Sequence, residues 1–122
     1  MDFKQAVTTV LNQYVCFKGR AGRAEFWYFA LFQFIIGAVL SGLGVIFGSN
    51  GQAPAFITIL QGLVSLALLL PGLGVAVRRM HDIGKGGGWI FINLVPVIGW
   101  IWFIVLAATA GEPAANRFGE PA

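Results

Sequence analysis

The chain has 122 residues, about one domain's worth, but only 11% of them are charged and 57% are hydrophobic. Soluble domains carry about 25% charged residues, so this composition excludes an ordinary soluble domain and indicates a membrane protein. The formal charge of +3 comes from cations that flank apolar runs, which favours anionic membrane lipids over nucleic acid as the partner.

An amphipathic helix is predicted over residues 3–15, where apolar side chains recur at helical spacing and polar ones occupy the other side. The apolar positions are Phe3, Ala6, Val7, Val10, Leu11 and Tyr14. The segment is too polar to span a bilayer and suits the membrane interface. A helix docked on the protein's own surface is the alternative. Residues 1–25 hold no apolar signal-peptide core, so no cleaved leader is expected.

A first membrane span is predicted over residues 25–47, after a cytoplasmic or interfacial segment 1–24. No charged residue occurs from Phe26 to Val77, and about 20 apolar residues suffice to cross the hydrocarbon core as a helix. Small residues share one face of this span, which lets helices approach closely. They are Gly37, Ser41, Gly44 and Gly48. Packing within the chain is favoured over a dedicated dimerisation motif.

A second span is predicted over residues 55–77, after a short turn that carries no cation. Pro71, followed by Gly72 and Gly74, predicts a kink or an early end to this helix. A polar insert follows, reading Arg-Arg-Met-His-Asp-Ile-Gly-Lys-Gly-Gly-Gly over residues 78–88. It contains the single histidine of the chain.

A third apolar run covers residues 89–110 and precedes a polar tail at 111–122. Three spans are the first interpretation. However, Trp100 and Trp102 would then lie about 18 Å along the helix, in mid-bilayer, whereas tryptophan prefers the interfaces. Pro96 and Gly99 also interrupt the run. A broken or re-entrant third run, which returns the tail to the side of the insert, is the alternative.

The distribution of cations orients the chain, because Lys and Arg concentrate in cytoplasmic loops. Cations precede the first span and lie again in the insert, while the turn near Asn50 has none. The N-terminus and the insert are therefore predicted to be cytoplasmic, in a protein that passes through the membrane more than once.

The sequence offers little for catalysis. His81 and Asp82 are neighbours, but adjacent helical residues point about 100° apart, and no activated nucleophile accompanies them. Cys16 is alone, and one His with one Cys is a poor metal ligand set. Gly84-Lys85-Gly86 lacks the spacing of a nucleotide-binding loop, although a helix start beside Arg78, Arg79 and Lys85 suits a lipid phosphate. We expect no enzyme activity, metal or cofactor.

Four motifs in the chain resemble the bacterial inner-membrane proteins grouped as domain of unknown function 805 (DUF805). They are Phe17-x-Gly-Arg-x-x-Arg-x-Glu-Phe-Trp, Arg78-Arg79-x-His81-Asp82-Ile83-Gly84, Leu94-x-Pro96-x-Ile98-Gly99 and Asn116-Arg117-Phe118-Gly119. Met80, where Leu is common, and the triple glycine before Trp89 depart from the pattern. The resemblance implies a small integral inner-membrane protein and brings no known activity.

The predicted fold is thus an all-α membrane protein, one domain over residues 1–122, forming a small transmembrane helical bundle. Its function is predicted to be binding or assembly through a basic cytoplasmic face. Recognition of anionic lipid headgroups and oligomeric transport of a small solute are the alternatives, and a homo-oligomer or a membrane-protein partner stays open. The candidate polar network or headgroup site comprises Arg20, Arg23, Glu25, Arg78, Arg79, His81, Asp82, Lys85, Asn116 and Arg117.

Overall fold

The computed structural model describes residues 1–14 and 16–122, and within them the regular structure is helical, without a β-strand. The elements are α1 (Phe3–Asn12), α2 (Arg23–Phe47), α3 (Ala55–Asp82), a 3-10 helix (Gly87–Leu94) and α4 (Ile98–Ala108). The expected all-helical class is confirmed for these residues. Two of the helices, α2 and α3, are long and apolar enough to cross a membrane.

The surfaces of α2 and α3 are apolar and open. Only 17% and 11% of their most apolar stretches are buried within the protein. Phe34 and Val45 on α2 and Leu66 on α3 are 73%, 81% and 68% exposed. Soluble monomers rarely expose contiguous apolar surface on this scale, so these helices fit a lipid environment and not the core of a soluble protein.

A tight turn joins α2 to α3 at what we call the far end (residues 48–54). Ser49 and Gln52 exchange backbone hydrogen bonds of 3.0 and 3.1 Å. The two central residues, Asn50 and Gly51, have φ of 53° and 73°. Two successive left-handed residues form a turn for which Asn-Gly is the preferred pair. The turn therefore makes α2 and α3 antiparallel neighbours.

The expected early end of the second span is wrong, because α3 continues through Pro71 to Asp82. Proline has no N–H to donate to the carbonyl four residues earlier, which here belongs to Ala67. The Tyr14 hydroxyl donates a hydrogen bond to that carbonyl oxygen. The chain segment after α1 thus satisfies the acceptor that Pro71 leaves free, and the insert begins as the last helical turn.

The third apolar run is broken into two antiparallel helices, which together form what we call the apolar hairpin (residues 87–108). The rings of Trp89 and Trp102 lie 6.2 Å apart across it, and the Trp100 indole N–H donates to the Asn93 carbonyl at 2.9 Å. At its tip, Val97 has φ of 63°, and the N–H of Ile98 bonds to the Pro96 carbonyl, which makes a γ-turn. A single helix of span length is not found in this part of the described chain.

The first helix docks on the other helices. Asp2 and Gln5 form a reciprocal capping box at its start, with hydrogen bonds of 2.7 and 3.0 Å. The buried side of α1 is formed by Ala6 and Val10. Val10 joins a core cluster with Ala21, Phe29 and Val75. The helix ends at Asn12, earlier than expected, and Val15 lies outside the described residues. Its interfacial location stays a prediction.

Replacing Tyr14 by Phe removes only the hydroxyl that serves the Ala67 carbonyl. We expect the free energy of unfolding in mixed micelles to fall by about 1 kcal/mol, the usual cost of one hydrogen bond. Tyr28→Phe is the matched control, since no hydrogen bond of its hydroxyl is found among the described residues. In a Pro71→Ala background the carbonyl regains an N–H partner, so Tyr14→Phe should cost much less. Equal costs in both backgrounds would contradict this interpretation.

Candidate functional site

The last turn of α3 buries almost every polar side chain that it carries. Arg78, Arg79, His81 and Asp82 are only 1%, 0%, 8% and 5% exposed. Ionised side chains are seldom buried to this extent unless they are paired and hydrogen-bonded. The partners of these four residues therefore determine what the cluster can do.

The Asp82 carboxylate bridges two guanidinium groups. Its Oδ1 accepts from Arg20 Nε at 2.9 Å, and its Oδ2 accepts from Arg79 Nη1 at 2.5 Å. All three side chains are at most 7% exposed. One carboxylate between two guanidinium groups therefore fixes the direction of both arginines.

The same two arginines also donate to main-chain carbonyls on distant segments. Arg79 bonds to Ala107 (2.9 Å), to Ala21 (2.8 Å) and to Thr109. Arg20 bonds to the carbonyls of Asp82, Glu112, Ala114 and Gly119 at 2.6 to 3.2 Å. Because charged donors make stronger hydrogen bonds than neutral ones, the pair ties the segment before α2, the end of α4 and the tail to α3.

A third ion pair, between Arg78 Nη1 and Glu25 Oε2, links α3 to the first turn of α2. Glu25 is 6% exposed. The Nε and Nη2 atoms of Arg78 are buried without a hydrogen-bond partner in the part of the chain that the structure describes. We call the five residues Arg20, Glu25, Arg78, Arg79 and Asp82 the charged network.

His81 lies beside the charged network, but its ring bonds to neither carboxylate. Its Nδ1 lies 2.9 Å from the Gly19 carbonyl oxygen, which can only accept, so Nδ1 carries the proton. The ring stacks on Phe118 with centroids 3.9 Å apart and an interplanar angle of 2°. The Asn116 amide donates to the His81 carbonyl and to Glu112 Oε1 at 3.0 and 2.9 Å. These contacts position the tail beside the last turn of α3.

Three cations of the predicted site lie outside these ion pairs among the described residues. Arg23 is exposed. Lys85 Nζ lies 4.5 Å from the ring centre of Trp89, and Arg117 lies over Phe118 at 4.6 Å. A cleft of about 630 Å³ opens between the tail and the apolar hairpin. Its lining, which we call the basic-aromatic cleft, is Gly86, Gly88, Trp89, Ile92, Trp102 and Arg117.

Several contributors escaped the sequence reasoning. Four groups in the site were not expected: the side chains of Glu112 and Phe118 and the carbonyls of Ala107 and Thr109. The two carbonyls could not be found from the sequence, because backbone acceptors leave no trace in side-chain patterns. Gly111 gives a usable signal. A Cβ there would collide with the Asp82 carboxylate, so glycine permits the tail to approach the ion pair. Within the described residues, no group of three or more His, Cys, Asp or Glu residues is arranged to hold a metal.

Replacing Asp82 by Asn leaves two buried guanidinium groups without their counter-charge. Breaking a buried ion pair from one side costs about 3 to 5 kcal/mol, so we expect the free energy of unfolding to fall by about 3 kcal/mol or more. Glu120→Gln, which alters an exposed carboxylate, is the matched control and should be neutral. Equal stability of the two variants, measured by unfolding in mixed micelles, would show that the Asp82 charge is unimportant.

Comparison with known proteins identifies the family of this chain. The family described as protein of unknown function DUF805 matches residues 14–120, which include the whole charged network. The Escherichia coli K12 inner membrane proteins YhaI and YhaH are 39% and 38% identical to the chain. These alignments cover 92% and 90% of this chain and 90% and 89% of the relatives.

A third relative, the uncharacterized protein YiiR of the same organism, is 33% identical over 71% of this chain and 55% of its own length. No solved structure matches the chain. The names of the relatives, together with two helices of span length, support an inner-membrane location. The chain belongs to the DUF805 family.

Proposed function

We propose that this protein is a non-catalytic binding module of the inner membrane, which holds anionic lipid headgroups in its basic-aromatic cleft. The observation that carries the proposal is the meeting of Arg117 with Trp89 and Trp102 around one cleft. Tryptophan prefers the headgroup level of a bilayer, and an adjacent cation attracts anionic lipid. The cleft therefore combines the two side-chain types that the lipid interface favours.

The position of α1 supports a proposed depth of the protein in the membrane. Gly74 on α3 lies against the chain just after α1, since a Cβ there would be 3.0 Å from the Cys16 carbonyl oxygen. From Gly74 to Ala55 at the start of α3, the helix rises about 29 Å, which equals the roughly 30 Å thickness of a hydrocarbon core. In this placement α1 lies in the interface, and the charged network lies beyond it in the headgroup layer.

The length of the apolar hairpin supports two spans and a returning third run. Its 3-10 helix has 8 residues and α4 has 11, so each arm reaches about 16 Å. That is about half of a hydrocarbon core, and the arm cannot cross it. The end of α4 returns to Arg79 through the Ala107 carbonyl, which places the tail on the side of the charged network.

The cations outside the charged network support a cytoplasmic assignment for that side. Lys18, Arg23, Lys85 and Arg117 all belong to segments at the end of the molecule that holds the charged network. The far end, residues 48–54, contains no cation. Because positive residues accumulate on the cytoplasmic side, the N-terminus and the tail both face the cytoplasm in this proposal.

The sequence suggested Arg78 and Arg79 for a lipid phosphate, but these residues have partners within the chain. Arg78 and Arg79 are at most 1% exposed and bond within the chain, so a headgroup at the surface has no access to them. Lys85 and Arg117 lie over aromatic rings instead, and their charges are balanced by no carboxylate among the described residues. The headgroup site is therefore assigned to the cleft beside Lys85 and Arg117.

A reporter fused to the C-terminus tests the returning hairpin. We expect a C-terminal green fluorescent protein to fluoresce and a C-terminal alkaline phosphatase to be inactive, since both ends face the cytoplasm. Alkaline phosphatase inserted after Gly51 at the far end is the positive control and should be active. An active phosphatase at the C-terminus would mean that the third run crosses the membrane.

Substituting Arg117 by Gln tests the headgroup site. A cation near an anionic surface contributes about 1 kcal/mol, so we expect the retention of phosphatidylglycerol in native mass spectrometry to fall about fivefold. Lys4→Gln removes an exposed cation of α1 and is the matched control. Equal retention by the two variants and the parent protein would contradict the assignment of the cleft.

A further inference from the structure

A second cleft lies between α2 and α3, on the membrane side of the charged network. It has a volume of about 860 Å³, and its lining extends from Phe26 to Ser41 on α2 and from Gln61 to Ala76 on α3. Each stretch rises about 22 Å along its helix. The 3-10 helix and Phe103 also contribute. We call this space the inner cleft.

The walls of the inner cleft are apolar except for a set of uncharged polar side chains. These are Gln33, Ser41, Gln61, Ser65 and Asn93. Asn93 donates to the Ile90 carbonyl at 3.0 Å. For the other four, no side-chain hydrogen bond is found within residues 1–14 and 16–122. Since Gln33, Ser41 and Ser65 are also exposed, the cleft is open at its side.

Unpaired amides at this depth indicate what occupies the cleft. An acyl chain offers no hydrogen bond, and a polar group left unpaired in hydrocarbon costs free energy. The occupant must therefore carry donors and acceptors at the depth of Gln33 and Gln61. A glutamine amide both donates and accepts, so each of these residues is a suitable partner for its own copy.

We propose that the inner cleft is the interface with a second copy of this chain, formed around α2. This inference requires α2 and α3 to span the membrane, as in the proposed function. Two copies inserted in one orientation are related by a two-fold axis along the membrane normal, and each residue then faces its counterpart at the same depth. Gln33, which lies opposite Gly72 of its own α3, meets the Gln33 of the second copy. Gln61 lies about 16 Å along α3 from Gly72, nearer the far end, where it lines a cleft together with Ser41.

The backbone of α2 leaves room for this approach. A Cβ added at Gly37 would have no heavy atom within 4 Å, so the position is open on the cleft side. Gly44 and Gly48 are occupied within the chain, by Ala53 and Ile57 and by the Gln52 backbone. Of the four small residues on this face, Gly37 and Ser41 thus remain for contact with another helix.

Disulfide cross-linking in native membranes tests the interface. In a Cys16→Ser background, Ser41→Cys should give a covalent dimer upon mild oxidation with copper phenanthroline. Val39→Cys is the matched control, because Val39 lies at nearly the same depth but points about 160° away from Ser41 and is 56% exposed. We expect at least a fivefold higher dimer yield for Ser41→Cys.

Two further variants test whether the open space at Gly37 and the glutamine amides hold the two copies together. Gly37→Leu, added to Ser41→Cys, fills the space next to a position where a Cβ has no heavy atom within 4 Å, and it should abolish the cross-link. Gln33→Leu with Gln61→Leu removes the amides and should lower the dimerisation constant about threefold for each hydrogen bond lost. Retention of the cross-link in Gly37→Leu would overturn the proposal.

The other outcomes are equally decisive. Equal dimer yields from Ser41→Cys and Val39→Cys indicate random collision and overturn the interface. A monomer at both positions leaves lipid or a small amphiphile as the occupant, and an adduct larger than the dimer assigns the cleft to another protein. The reporter fusions above check the span orientation separately, so a failure of the dimer and a failure of the topology are distinguishable.

Discussion

The carboxylate of Asp82 is the group on which the rest of the arrangement depends. It lies at the C-terminal end of α3 and accepts hydrogen bonds from Arg20 and Arg79. Through these arginines it fixes the segment before α2, the end of α4 and the tail. Its own main-chain carbonyl also accepts from the Glu112 N–H at 2.8 Å. The end of the apolar hairpin is held beside the last turn of α3 by the hydrogen bond from Arg79 to the Ala107 carbonyl.

Burial of these charges also limits what the basic face does. The usual expectation for arginines beside a membrane span is contact with anionic headgroups. Here the guanidinium groups of Arg20, Arg78 and Arg79 are directed inward, and removing them from water is tolerated because carboxylates and backbone carbonyls replace the lost hydration. The cations that lie over aromatic rings, Lys85 and Arg117, stay outside the ion pairs of the described residues. In the proposed function, the headgroup binds at the basic-aromatic cleft beside the charged network.

The sequence predicted those features that follow from the exclusion of charge from the membrane and from local backbone geometry. Absence of charge from Phe26 to Val77 located α2 and α3. Three spans were the first interpretation, and Pro96 with the tryptophans in the middle of the third run gave a broken run only as the alternative. The sequence did not predict that α3 would pass through Pro71, since this depends on a hydroxyl 57 positions away, on Tyr14. The choice of Arg20 over Arg23 as the partner of Asp82 was also inaccessible, because several cations stood at equivalent sequence distances. Backbone acceptors such as Ala107 cannot be found from side-chain patterns.

The arrangement around Asp82 requires the tail to lie against the segment before α2. A Cβ at Gly22 would be 3.7 Å from the Ala122 Cβ, which is the separation found in disulfides. In a Cys16→Ser background, Gly22→Cys with Ala122→Cys should therefore form an intramolecular disulfide in oxidised membranes, with the loss of two maleimide-reactive thiols and no dimer. Gly22→Cys with Asn50→Cys, at the far end, should keep both thiols. Two reactive thiols in the Gly22–Ala122 pair would show that the tail lies elsewhere.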